Sequence, residues 1–479
     1  MDLSLMPCAA RPNSGPCVGH KRHTGKEEMI ALYGVRVSQW SMTYFAGAWI
    51  SLALAEMVWM SGLAKPLSNI GSSWVLIGVH LTTLSFLTLL MIGALNQFVP
   101  VLTQTELASQ RLSGITFVLT VIGVAGMIAG FLSLPATISG ALFKSIPWLL
   151  PTGGSLVVLG LVVGVINLGI TVKRAWPWAL PTWFVSMGLF FLLVTIVVGL
   201  VLAFSLAFPA LFSSHQLLVI GGRGLASHVV GGIGGWFTLS AMGVSYKLLA
   251  MFTLSPEHDG IQGWIALVAT ALGIGVVWVS RWVNARAFAQ GGWALIVLGL
   301  VVYLADIMAL YRRRKRRNQL ELNARYARIA LSFLAAIILI ALSVRPTGRL
   351  LRIDIVLVFL ALYGWLGGFA LTQLYKIVPF LTWIRLFGHR MGKGRTPRVQ
   401  DLVNESRDRY AFILYFFSIA MAAIFLQQGW TLGFRGMMFL AFIATLDIGR
   451  ALYHAAHPLL PLNETRRSHG TETVIRRGS

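Results

Sequence analysis

The chain has 479 residues, of which 56% are hydrophobic and 11% charged, so its charged share is roughly half that of an ordinary soluble domain. The formal net charge is +23, but the basic residues lie in connections between apolar stretches, which argues against a nucleic-acid-binding protein. The run from Ser155 to Val172 is apolar on every face, which excludes the alternating pattern of a β-barrel. We therefore expect an α-helical protein in the cell membrane, with the lipid bilayer as its main partner.

The first element is a polar segment, residues 1–38. It contains both cysteines, Cys8 and Cys17, and their spacing from His20 and His23 matches no common zinc pattern and implies no disulfide framework. The segment lacks an apolar core long enough for a signal peptide. We expect it to form a cytoplasmic N-terminal tail.

Apolar stretches long enough to cross the membrane follow one another along the rest of the chain. A crossing helix needs about 20 apolar residues. The predicted spans are 39–62, 73–103, 113–134, 147–171, 181–208, 224–253, 261–281, 291–311, 324–344, 353–383, 410–428 and 431–453. This pattern predicts an all-α polytopic membrane domain over residues 39–453 and a basic cytoplasmic tail over residues 454–479.

The basic connections predict the orientation of these spans. The connections 312–323 and 384–409 carry most of the clustered Arg and Lys residues, and both follow even-numbered spans. Cytoplasmic loops are enriched in Lys and Arg. We therefore predict that even-numbered spans end in the cytoplasm and that both termini are cytoplasmic.

An internal repeat relates the segments 93–103, 243–253 and 372–382, which end spans two, six and ten. Chance recurrence of Gly, Pro and aromatic residues in membrane helices is the alternative, but the aligned Tyr-Lys pairs and Thr residues argue against it. The repeat predicts three four-helix units, 39–171, 181–311 and 324–453, in a pseudo-threefold arrangement. The aligned positions hold Asn96, Tyr246 and Tyr375; Gln97, Lys247 and Lys376; Pro100, Ala250 and Pro379; and Thr103, Thr253 and Thr382.

The second span carries a local motif as well. Gly93, Asn96, Val99 and Pro100 form a Gly-x-x-Asn-x-x-Val-Pro pattern, with His80 upstream near the predicted outer side. Together with twelve spans in three like-oriented units, this motif resembles subunit I of the haem-copper oxidase superfamily, which includes cytochrome c oxidases and nitric oxide reductases.

The resemblance implies a haem-binding protein of electron transfer or diatomic-gas handling, with companion redox subunits or a cytochrome as partners. It implies that His80 ligates a haem iron and that His228 ligates a haem iron or copper. The family builds its copper site with histidines of spans six and seven and holds both haem irons from span ten, but spans seven and ten of this chain contain no histidine. Haem is therefore the expected cofactor, copper is not expected in its usual form, and the chain is a divergent member.

Two alternatives stay open at this stage. His80 can be an interfacial histidine that only hydrogen-bonds a neighbouring helix. The whole chain can be a cofactor-free transporter or channel on the same scaffold, because a fold alone does not fix a function. An oxidoreductase is the enzyme class that the resemblance implies, and no catalytic residue is assigned.

Three further residues carry expectations. Glu56 stands alone among apolar residues of span one, so it should face the bundle interior or be protonated, either as a functional carboxyl group or as a structural polar contact. Asp447 should be neutralised by Arg450, one turn away. His215 should be exposed.

Overall fold

The structure of the protein is a computed structural model that describes residues 38–67, 69–134, 146–174, 176–256, 260–283, 285–314, 320–344, 351–388 and 396–458. Most of the predicted N-terminal tail and of the basic C-terminal tail lies outside these residues, as do parts of both predicted basic connections. The zinc and disulfide considerations at Cys8 and Cys17 also fall outside them.

Twelve helices of the described chain are long and apolar enough to cross a membrane, which confirms the predicted polytopic all-α architecture. We number them α1 to α12 in chain order: Ser41–Ser61, Ser73–Thr103, Gln110–Leu132, Leu149–Lys173, Leu180–Ala207, Ser214–Thr253, Ile261–Val283, Arg286–Arg312, Leu322–Ser343, Arg352–Phe387, Glu405–Gln428 and Thr431–Ala456. Short 3-10 helices, Pro209–Leu211 and Val399–Leu402, precede α6 and α11.

Because each helix crosses and most connections are short, successive helices alternate in direction. We call the side where odd-numbered helices begin and even-numbered helices end the N-terminal face. Its identity with the cytoplasmic side stays a prediction.

Helix α6 begins ten residues before the predicted start of span six, at Ser214 rather than at residue 224. The Ser213 hydroxyl accepts a hydrogen bond from the Gln216 amide at 3.3 Å, and the Gln216 side chain accepts one from the Ser213 amide at 2.8 Å. This capping box starts a helix that continues through a π-helical turn, Ile220–Gly224. The prediction was wrong because Gly221, Gly222 and Arg223 resemble a loop in sequence.

The three longest helices, α2, α6 and α10, share an uncommon local feature. Each contains a π-helical segment, Leu81–Thr88, Val230–Thr238 and Leu360–Gly367 respectively. All three segments end twelve residues before the aligned Pro/Ala position of the repeat. Because the three segments share this register, the repeat seen in the sequence is present in the backbone as well. π-Helical turns are rare and occur frequently at functional sites.

The π-helical segments lie where the three helices meet. The Trp236 indole N–H donates to the Thr88 hydroxyl at 3.1 Å, which joins α6 to α2. The Tyr363 and Thr82 hydroxyls are 2.7 Å apart and join α10 to α2. The segments of α6 and α10 also contact one another. Helices α2, α6 and α10 are therefore the inner helices of the bundle.

The aligned residues after these segments bond to the outer helices of their own units. The three bonds run from Asn96 Nδ2 to Ser113 Oγ at 2.6 Å, from Tyr246 Oη to Asp306 Oδ2 at 3.1 Å, and from Tyr375 Oη to Asp408 Oδ2 at 2.7 Å. Helices α2 and α6 then end alike, with Gln104 and Leu254 in the left-handed region at φ 52° and 53°.

The last two helices of each unit form closely packed pairs, α3 with α4, α7 with α8 and α11 with α12. Small residues allow this approach in membranes. A Cβ atom added to Gly153 of α4 would lie 2.7 Å from the Gly123 carbonyl oxygen of α3, so glycine is required there. Gly273 and Gly292 allow the same close approach between α7 and α8.

The final helix packs against the first and closes the bundle. The Trp49 indole N–H of α1 donates to the Thr445 carbonyl oxygen of α12 at 3.0 Å. The Arg435 guanidinium of α12 donates to the Met60 carbonyl oxygen at 3.0 Å and to that of Ser61 at 3.1 Å, at the end of α1.

Candidate functional site

His80 is the last residue of α2 before its π-helical segment. Its Nδ1 lies 2.7 Å from the Leu76 carbonyl oxygen, one turn back on the same helix. The imidazole packs against the Phe131 ring of α3 with 5.1 Å between ring centroids. The residue as a whole is half-buried.

His228 lies at a similar depth on α6, two residues before the segment that begins at Val230. Its Nδ1 lies 3.0 Å from the Thr195 carbonyl oxygen of α5. The ring sits against Gly199 of the same helix, where an added Cβ atom would lie 2.8 Å from the imidazole Cε1. Glycine at position 199 therefore lets the two helices approach closely enough for this hydrogen bond.

The hydrogen bonds fix the chemical form of both imidazoles. A carbonyl oxygen only accepts hydrogen bonds, so Nδ1 of each ring carries the hydrogen, and Nε2 of the neutral ring keeps its lone pair. Within the described part of the chain, no group hydrogen-bonds either Nε2 atom. The two histidines that the sequence predicts as ligands thus lie on two inner helices, α2 and α6.

The third inner helix contributes no ligand to this site. Phe359 immediately precedes the π-helical segment of α10, as His80 does in α2, and it packs against Tyr363 and Phe434 at ring-centroid distances of 5.1 and 5.6 Å. Across the described ranges, no group of three or more His, Cys, Asp or Glu residues could hold a metal ion. Any metal bound here would depend on the two imidazoles.

The interior between the inner helices is filled by aromatic side chains. Phe86 and Trp236 are fully buried, and so is Tyr363. The Trp59 indole N–H donates to the Tyr363 hydroxyl at 2.7 Å, and the Thr82 hydroxyl donates to the Gly78 carbonyl oxygen at 2.8 Å. Nothing in the sequence indicated the hydrogen-bond network around Tyr363.

Near the N-terminal face, a cavity of only about 20 Å³ lies between the same three helices. Its lining includes Gln97 and Lys247, which are aligned in the repeat, and Phe380. A cavity of this size holds about one water molecule, so the three inner helices pack tightly at this end.

Glu56 faces the interior, as predicted. Its side chain is 0% exposed, and its Oε1 accepts a hydrogen bond from the Thr445 hydroxyl of α12 at 3.0 Å. Its Oε2 is buried without a hydrogen-bond partner.

Ionic contacts gather near the N-terminal face. Arg450 donates to Asp447 at 2.7 Å, which confirms that prediction, and also lies 3.4 Å from the buried Asp408. Lys376 is mostly buried and forms an ion pair with Glu321. At the opposite end of the bundle, His215 is exposed, as expected.

No known family model matches the chain, and no curated protein matches it. Its function must therefore be argued from these side chains.

Proposed function

We propose that the protein is a haem-binding redox protein of the membrane, a divergent relative of oxidase subunit I, in which His80 and His228 ligate iron. The observation that carries the proposal is the paired arrangement of the two imidazoles. Each precedes a π-helical segment on an inner helix, and each is held through Nδ1 by a backbone carbonyl group.

The residues present fit such a group. Haem iron takes neutral imidazole nitrogens, and a ligating histidine nearly always donates its other N–H to a carbonyl, carboxylate or water. The Leu76 and Thr195 carbonyl groups supply these acceptors here. A haem bound by these residues would supply one-electron transfer or the binding of a diatomic gas.

The chain's own residues would orient the ligands and keep water away. The Phe131 ring and the close approach at Gly199 restrict the two imidazoles to one position each. Because α7 and α10 carry no histidine and aromatic rings fill the interior, the usual haem-copper centre for dioxygen reduction is not part of the proposal. Electron transfer or gas handling is the better supported role.

The proposal includes the orientation. The clustered basic residues favour a cytoplasmic N-terminal face, with the protein in the cell membrane. His80 and His228 would then lie towards the outer side, where a companion redox subunit or cytochrome could exchange electrons with them.

The test is an ultraviolet-visible spectrum of the purified protein, oxidised and then reduced with dithionite, with haem added if none is retained. We expect a Soret band that shifts on reduction, and its loss or shift in His80→Ala and in His228→Ala. Added imidazole should restore the band in either variant, which separates a lost ligand from a lost fold. His215→Ala is the matched control, because this histidine is exposed. No Soret band, or unchanged spectra in both ligand variants, would refute the proposal.

A cofactor-free transporter or channel is the second candidate, and the buried Glu56 favours it, because intramembrane carboxyl groups mark ion and proton pathways. The buried Trp236 and Tyr363 argue against an open path through the middle of the bundle. Colourless protein that takes up no haem would favour this candidate.

A further inference from the structure

Glu56 is the buried acidic residue that the haem proposal leaves without a role. It lies in the last third of α1, and its carboxyl group faces Thr445 of α12. Its exposed fraction is zero. Neither solvent nor lipid headgroups therefore reach this carboxyl group.

No cation compensates a charge at this position. Within the described part of the chain, no Lys or Arg nitrogen lies within 4 Å of Glu56. On α12, Arg450 is paired with Asp447 and Asp408, and the Arg435 guanidinium is engaged by the Met60 and Ser61 carbonyl groups. Besides Arg435, titratable or charged groups lie on the helices that pack against α1 or are joined to it by hydrogen bonds or ring contacts. They are His80, Arg111, Arg352, Asp354, Tyr363, Tyr375, Lys376, Arg385, Asp447, Arg450, Tyr453 and His454.

An ionised carboxylate would be energetically unfavourable at this buried position. Burying an unpaired charge costs far more than burying a hydrogen-bonded neutral group, and the group then takes up a proton instead. The two oxygens of Glu56 differ in their surroundings, as the carbonyl and hydroxyl oxygens of a neutral acid can. Oε1 accepts from the Thr445 hydroxyl, as a carbonyl oxygen does, and Oε2 has no donor directed at it.

The residue one turn beyond Glu56 on α1 contacts an inner helix. The Trp59 indole N–H donates to the Tyr363 hydroxyl of α10 at 2.7 Å. The Tyr415 hydroxyl donates to the Tyr363 carbonyl oxygen at 3.0 Å. Since the Thr82 hydroxyl donates to Gly78, the Tyr363 hydroxyl donates to Thr82, two residues from His80.

We propose that Glu56 is a proton-binding site inside the membrane domain, which holds a proton on Oε2. The ligand is a proton alone. Binding converts the carboxylate to the acid and changes no other covalent bond. The site does not depend on bound haem, so it can be tested whatever the spectrum of the protein shows.

The test is infrared spectroscopy of the purified full-length protein in water and in deuterium oxide. We expect a C=O band of a protonated carboxyl group that shifts on deuteration and is lost in Glu56→Gln. Asp447→Asn is the matched control, because this carboxylate is half exposed and paired with Arg450, so the band should persist. A band that survives Glu56→Gln, or a loss of carboxylate absorption instead, would refute the protonated site.

One further variant keeps the proposal testable if Glu56→Gln fails to fold. Thr445→Val removes the hydrogen bond to Oε1, so the C=O band should move to higher wavenumber, and an unmoved band would contradict the assignment.

Discussion

The substitution Gly199→Ala tests whether the hydrogen bond from His228 to Thr195 orients His228 as the proposed iron ligand. The new Cβ atom would lie 2.8 Å from the imidazole Cε1, whereas ordinary contact begins at 3.4 Å. The ring must therefore move by roughly 0.6 Å, the difference between these values. Movement along the bond would lengthen the distance from Nδ1 to the Thr195 oxygen from 3.0 Å to about 3.6 Å, at which no hydrogen bond remains.

Two opposing effects then act on the stability of the protein. Losing one hydrogen bond costs about 1 kcal/mol. Replacing glycine by alanine within a helix gains about 1 kcal/mol. Thermal stability should therefore change little, while haem affinity should fall by about 10–100-fold, the usual effect of removing a group that orients a metal ligand.

The assay is a haem titration followed at the Soret band, together with thermal unfolding in the same detergent. Gly275→Ala is the control, since an added Cβ atom meets nothing within 4 Å there. It should gain stability and keep full haem affinity. If Gly199→Ala binds haem as tightly as the unmodified protein, the assignment of Thr195 as the group that orients His228 is wrong.

Three other predictions concern the scaffold. Gly153→Ala should destabilise the protein by about 1–3 kcal/mol, because the added methyl group overpacks against α3. Gly169→Ala on the same helix should not, because a Cβ atom there meets nothing within 4 Å. Equal unfolding temperatures of the two variants would contradict this prediction. Trp236→Phe should lower the free energy of unfolding, measured with denaturant, by about 1 kcal/mol, because the hydrogen bond from Trp236 to Thr88 is lost. The same substitution should lower it by less in a protein that already carries Thr88→Val. Leu254→Gly should raise the stability of the protein by up to about 1 kcal/mol, because the φ of 53° at position 254 suits glycine better than leucine. A lower unfolding temperature would contradict the left-handed conformation at this position.

The membrane-spanning helices could be predicted from the sequence because a lipid bilayer sets the length and hydrophobicity that a crossing helix needs. The predicted and observed bounds of α2 agree at both ends, where the Ser72 hydroxyl caps the first turn and Gln104 takes a left-handed conformation. The start of α6 was missed because glycine is tolerated in membrane helices more readily than in soluble ones. A π-helical segment leaves no simple sequence signal, since it arises where packing accommodates one more residue in a turn.

The candidate site was predictable only in part. The depth of His80 and His228 followed from their places in two like-oriented spans. The carbonyl groups that orient them did not, because the contact of His228 with Thr195 depends on how α5 packs against α6. The hydrogen-bond partner of Glu56 could not be predicted from the sequence, since Thr445 lies 389 residues away along the chain.

The contact between the first and last helices bears on how the chain is assembled. During synthesis α1 enters the bilayer before α12 leaves the ribosome. Until then the Glu56 carboxyl group lacks the Thr445 hydroxyl and the Met60 carbonyl group lacks Arg435. A chain that stops before α12 therefore displays an unsatisfied acid within the bilayer, which is the kind of feature by which membrane chaperones and proteases distinguish unfinished chains from completed ones.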